Sequence, residues 1–134
     1  MKSYKKYFIL LLGTVATNII MAQENKISRR ELSSLVLDTQ KVAKVEMQEI
    51  TLGSGLSAPK HLHRCPVVGI ITSGNILFQI EGKKKIILKT GDSFYEPKNT
   101  TILHFDNAST AEPVTFIAIY LKEGEEENIK MIKS

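Results

Sequence analysis

Apolar residues along this chain alternate with polar ones at a period of two, in short runs broken by glycine and proline. Asn75 to Ile80 is the clearest run, with Ile76, Phe78 and Ile80 at one parity. In a β-strand successive side chains point to opposite faces, so this pattern predicts a strand with one buried face. Thr101 to Asn107 sets Ile102, His104 and Asp106 against Leu103 and Phe105. Val42 to Leu52 places Val45 and Met47 at one parity and Ile50 and Leu52 at the other, a slip that predicts a bulge near Gln48-Glu49. Strands are also expected at Val67–Thr72, Lys84–Lys89 and Val114–Leu121, with a short extended piece at Phe94–Pro97. Ser28 to Leu37 reads as a short early strand at the edge of the fold. Ser73-Gly74, Glu81-Gly82 and Thr90-Gly91 supply turns, Glu81-Gly82 with the chemistry of a two-residue hairpin. Strands about ten residues apart with no long amphipathic helix argue an all-β barrel or sandwich in a single domain.

The two ends of the chain differ from this pattern. Lys2, Lys5 and Lys6 precede the apolar stretch Phe8–Ala22, and polarity resumes at Gln23. A basic start, a short apolar core and a small residue at the end read as a secretory signal peptide over residues 1–22, which implies an exported, periplasmic or secreted protein. Cleavage would leave a barrel domain over residues 23–121, a charged tail over 122–134 and no stable membrane span. The tail, with Glu125-Glu126-Glu127, reads as a frayed end or a short helix.

Charge narrows the choice of partner. The 134 residues carry 18 Lys and Arg against 14 Asp and Glu. The leader holds three of the basic residues and none of the acidic ones, so the remainder is nearly neutral, 15 against 14. With no basic stripe beyond Lys83–Lys85, the chain is not read as a nucleic-acid binder. The single cysteine, Cys65, cannot form an intramolecular disulfide.

The chemistry concentrates in His61–Gly74. His61 and His63 are two apart, so on an extended chain both imidazoles project to one side, as two metal ligands or two ligand-gripping groups would. Cys65 continues that parity, and a thiolate beside two imidazoles suits zinc, copper or iron(II). The simpler reading of Cys65 is a small buried apolar residue. Pro66 divides the site-forming bend from the strand that follows. Glu96 is a candidate general base near the rim, and since Tyr95 has the opposite parity only one of the two faces inward.

These residues resemble the cupin family of double-stranded β-helix jelly rolls. Gly55, five residues, His61-Leu62-His63, then Val67 and Gly74 match the spacing of the first cupin motif, with Val67 where the family has glutamate. Gly91, five residues, then Pro97-Lys98-Asn99 match the second motif. There Asn99 replaces glycine, Ile102 stands at the histidine position, and Asp106, with Asn107 beside it, takes the asparagine position. The match spans about Met47 to Leu121. It implies a jelly-roll barrel, a small-molecule ligand, a divalent transition metal (Zn, Fe, Mn, Ni or Cu) and a homodimer. Of the four family ligands only His61 and His63 are in place. His104, about 6.6 Å beyond Ile102 on the expected shared face, is the candidate third ligand; Cys65 and Glu96 are the additional candidates. Three functions follow: a module binding a small polar ligand, with or without metal; a metal-dependent oxygenase or isomerase; and a non-catalytic interaction domain with a vestigial pocket.

Overall fold

The computed structural model describes residues 25–133. The expected signal peptide lies outside the described residues. The strands are β1 (Lys44–Leu52), β2 (His61–Leu62), β3 (Val67–Ser73), β4 (Asn75–Ile80), β5 (Ile86–Lys89), β6 (Ser93–Glu96), β7 (Ile102–Asn107), β8 (Val114–Lys122) and β9 (Lys130–Met131). Among the described residues there is no helix. The strands form two antiparallel sheets, in the order β1-β8-β3-β6 and β5-β4-β7-β2-β9. One core cluster draws on both, with Val67, Ile71, Phe94, Val114 and Phe116 from the first and Ile76, Phe78, Leu88, Ile102 and Phe105 from the second. The all-β jelly-roll expectation holds, as two facing sheets rather than a closed barrel.

Period-two burial builds this core. Alternate residues of β8 from Val114 to Lys122 are buried and those between are partly exposed. Phe94, Phe105 and Phe116 meet edge to face or tilted, with centroids 4.8 to 5.9 Å apart. Each such contact adds about 0.5–1.5 kcal/mol beyond area burial. Gly69 makes room for them, because a Cβ there would collide with the Phe94 ring and the Ile117 carbonyl.

Four local expectations are corrected. Ser28–Leu37 forms no strand; its irregular chain offers no sustained alternation, and Ser93 Oγ donates to the Leu32 carbonyl at 3.2 Å. β1 carries no bulge: it pairs with β8 in unbroken register from Lys44↔Lys122 to Leu52↔Val114. The parity slip there is a strand apolar on both faces, with Val45 and Met47 outside and Ile50 and Leu52 inside. The β4–β5 connection is not a two-residue hairpin, because β5 starts only at Ile86 and the lysine run stays in the loop. The charged tail is neither frayed nor helical: it returns as β9, pairing His61↔Met131 and Leu62↔Lys130.

The bulge that matters lies in β7. Gln79 pairs with His104 and Ile80 with Ile102, so Leu103 is the unpaired extra residue. A bulge reverses side-chain parity beyond it. Ile102 and Phe105 are therefore both buried, and His104 turns to the other face. Asn107 accordingly becomes the buried structural amide, donating from Nδ2 to the Gly53 and Glu112 carbonyls at 2.9 and 2.8 Å. Asn99 adopts φ 54°, the left-handed conformation that its glycine-like position requires.

Candidate metal centre

β2 and β6 deliver the site from opposite sheets. His61 lies on β2, whose neighbours are β7, through His61↔Ile102, and β9. The chain then bends at Arg64-Cys65, held by the Asn99 N–H donating to the His63 carbonyl at 2.8 Å. The two imidazoles do share a side: their centroids are 5.1 Å apart, and both residues are 3% exposed. Glu96 ends β6 and is 4% exposed, while Tyr95 faces the other way. Nitrogen and oxygen atoms of His61, His63 and Glu96 all lie within 4.8 Å of one another.

The position of Glu96 accounts for the missing motif glutamate. Val67 occupies that place in the first motif, and Glu96 is its cross-strand partner in the β3–β6 register. Paired residues on adjacent strands share a face about 5 Å apart. The carboxylate comes from one strand over and reaches the same interior. Ile102, at the second-motif histidine position, is wholly buried in the packed core, as is Val67, and neither lines the cavity beside the cluster.

The hydrogen bonds fix which imidazole atoms are free. His61 Nδ1 donates to the Pro59 carbonyl at 2.7 Å, and His63 Nδ1 donates to the Asn128 carbonyl. A carbonyl only accepts, so both rings carry the Nδ1 proton, and in the neutral form each Nε2 presents a lone pair to Glu96. His63 Nε2 is 2.8 Å from Glu96 Oε2, and His61 Nε2 is 3.6 Å from Oε1. Among the described residues, His63 Nε2, Glu96 Oε1 and, away from the cluster, Asp106 Oδ1 are buried without a hydrogen-bond partner. An acceptor nitrogen against an acceptor oxygen is repulsive unless a proton or a cation lies between them. Burial opposes the charged form of each group, yet their mutual attraction prevails: the His63 pKa is raised, and the Glu96 pKa is lowered by the two imidazoles. Tyr120, edge-on to His63 at 5.8 Å, is pushed up to about 12 by burial and by the Glu96 carboxylate.

The three groups open onto a cavity of about 130 Å³, lined also by Ile50, Leu52, Phe116, Tyr120 and Ile129. At about 30 Å³ per water, it holds only a few water-sized groups. A larger groove of about 500 Å³ lies beside Asp38, Lys41 and Lys98, but it contains neither the histidines nor Glu96. The smaller cavity, which is lined by all three residues of the cluster, is the candidate site.

The remaining sequence candidates fall elsewhere. The structure does not bring His104 to the cluster: its side chain is 35% exposed, and its Nδ1 is 2.7 Å from Asp106 Oδ2. The Leu103 bulge is the cause, since it removes His104 from the face of Ile102. Cys65 is fully buried in the core, and burial pushes its thiol up, away from the thiolate a metal requires.

The family model for the cupin domain matches residues 48–120. The chain is a cupin. This cupin is similar in structure to an RmlC-like cupin family protein with a double-stranded β-helix fold from Methanocaldococcus jannaschii. That match has a TM-score of 0.53 and 23% identity, and covers 72% of this chain and 86% of that one. It is also similar to a DMSP lyase from Ruegeria pomeroyi, with a TM-score of 0.57 and 20% identity over 65% of this chain and 42% of that one. An oxalate oxidase in complex with the substrate analogue glycolate gives a TM-score of 0.56 and 19% identity over 66% of this chain and 46% of that one. The chain thus spans less than half the length of the lyase and the oxidase. No curated protein sequence matches it.

Proposed function

We propose that this cupin binds a divalent transition metal through His61, His63 and Glu96, and holds a small polar ligand beside it. The observation that carries the reading is the buried cluster itself: two imidazoles with their Nδ1 protons committed to carbonyls, facing a carboxylate, with His63 Nε2 and Glu96 Oε1 lacking partners. Two histidines and one carboxylate are the donor set of non-haem iron(II) sites, and imidazole equally suits zinc, copper and nickel. Bound there, the metal would act as a Lewis acid with positions open to water or to a ligand's oxygen atoms. The protein's own part is to hold the donors and to line the ligand's place with apolar side chains such as Ile50, Leu52 and Ile129.

Metal-dependent catalysis is the second reading. Three protein donors beside a cavity match the open arrangement of catalytic rather than closed structural sites. The lyase and oxidase share only the fold, so the reaction is not transferred from them. The reading extends to export, which the pattern of residues 1–22 supports, and to a homodimer. The apolar residues left on the surface support the dimer: Val45 and Met47 on β1 are 55% and 69% exposed, and Val36 is fully exposed.

Thermal unfolding of metal-free protein tests the metal reading. A ligand specific for the folded state adds about 2.7 kcal/mol at a hundredfold excess over its Kd. For a domain of this size that raises Tm by roughly ten degrees. Zinc, nickel, manganese or iron(II) should give such a rise, and His63→Ala should abolish it. No rise with any of them, in folded metal-free protein, would overturn the reading.

A further inference from the structure

The C-terminal segment is tied to the sheet beside the site by three side chains, of which Glu46 lies far from the other two in sequence. Lys122, the last residue of β8, is only 4% exposed, and a lysine is rarely so buried unless it is paired. Its Nζ lies 3.2 Å from Glu46 Oε2 on β1 and donates to Asn128 Oδ1 at 2.7 Å. Asn128 Nδ2 donates to Glu46 Oε1 at 2.8 Å. Each of the three is therefore bonded to the other two. Glu46 pairs with Tyr120 in the β1–β8 register, so Glu46 and Lys122 are diagonal neighbours on the inner face.

The triangle fixes more than a loop. The backbone carbonyl of Asn128 is the acceptor for His63 Nδ1. The next residue, Ile129, lines the cavity, and the chain then enters β9 to pair with the strand bearing His61. Glu126 closes the preceding turn by accepting from the Glu123 and Gly124 N–H groups. An Nδ1–H bonded to a fixed acceptor sets both the ring angle and the tautomer of a histidine ligand, and such supports govern metal affinity.

We propose that Glu46, Lys122 and Asn128 form a clasp that positions His63: by fixing the Asn128 carbonyl it holds the imidazole in the Nδ1–H tautomer, with Nε2 presented to the metal. This rests on the metal reading above. None of the three touches the metal, so all are positioning residues.

The test uses the full chain with cobalt(II) as the probe, in Glu46→Ala, Lys122→Met and Asn128→Ala variants. Two readouts are taken on folded protein: the cobalt Kd, and the nitrogen chemical shifts of the His63 ring in the metal-free state. Loss of a supporting contact of this kind typically weakens metal binding about 10–100-fold. Each variant should show that loss, and His63 should pass from one tautomer to a mixture. The charge-exchanged pair Glu46→Lys with Lys122→Glu should recover much of the affinity, because the Asn128 amide can turn over to offer each partner its complementary end. A purely structural role would lower the unfolding midpoint while leaving the cobalt Kd within twofold and the His63 shifts unchanged, and that result in any folded variant would overturn the clasp. If the parent chain binds no cobalt, the metal reading fails on its own, and the nitrogen shifts still decide whether the clasp sets the tautomer.

Discussion

The interior of the sandwich has two halves built from the same strands. On β6, Phe94 enters the aromatic cluster and Glu96, two residues on, enters the cluster with His61 and His63. On β8, Phe116 packs among phenylalanines and borders the cavity, while Tyr120 and Lys122 face the histidines and the clasp. In the aromatic half, apolar side chains fill the space with edge-to-face contacts. In the other half, buried polar atoms lack partners around a small cavity. Alternation decides which side chains point inward, whereas position along the strand decides whether they build a core or a site. A protein optimised only for stability would not leave such atoms unsatisfied, since each costs about 1–3 kcal/mol.

Substitutions should separate the halves. The largest loss of stability is expected from Phe94→Ala, which empties the aromatic half without lining the cavity. Urea unfolding should show a loss of about 3–5 kcal/mol. Metal affinity of the folded fraction should not change; a parallel loss of affinity would mean that the halves are not separable.

The second substitution moves the carboxylate. Glu96→Val should abolish metal binding, and adding Val67→Glu should restore it, because positions 67 and 96 are cross-strand partners. Calorimetric titration of both variants checks this. Failure of the folded double variant to bind would show that the two positions do not reach the same point.

A smaller effect is expected from acid. The Asn128 and Lys122 hydrogen bonds hold the Glu46 pKa down to about 2, against an ordinary 4.5, with Lys44 adding to the pull and the Asn128 bond contributing most. A carboxylate depressed on folding stabilises the fold fully above the ordinary value, and its contribution is lost as pH falls from about 4.5 towards 2. Protection of the amides in residues 123–132 of metal-free protein, taken relative to the intrinsic exchange rate at each pH, should therefore fall across that window more in the parent than in Glu46→Gln. Equal pH dependence in the two would contradict the clasp's electrostatic basis.

The smallest effect belongs to His104. As a half-exposed partner of Asp106 outside the cluster, it should cost under about 1 kcal/mol when changed to alanine. Metal affinity should not change. A tenfold loss of affinity would restore His104 to the site.

Much of this arrangement was legible in the chain before folding. Alternation located β4 and β7, apolar or extended runs between turns located β3, β5, β6 and β8, and the two-residue spacing placed His61 and His63 on one side. The opposite parity of Tyr95 and Glu96 limited the inward group to one of them. What could not be read were relations across strands. Glu96 was a candidate by type and parity, but nothing local to Glu96 or Val67 reveals that they are paired, so His104 stood ahead of it as third ligand. The Leu103 bulge is set by pairing with β4, and without it a parity count carries His104 to the wrong face. The tail misled because a run of glutamates resembles a solvated end. Its anchor, Lys122 with Glu46, joins residues 76 apart in sequence and leaves no local pattern.

The central claim is that the half of the interior holding His61, His63 and Glu96 is a metal site. Its most direct measurement is the metal content of the folded chain after equilibration with iron(II), manganese or zinc and removal of free ion, for the parent and for Glu96→Gln. The account predicts about one ion per parent chain with at least one of these metals, and little or none in Glu96→Gln, which keeps the shape and loses the charge. Binding should strengthen as pH rises through the raised His63 pKa, because the metal displaces that proton. A folded parent that retains no ion, or a Glu96→Gln variant that retains as much as the parent, would contradict it.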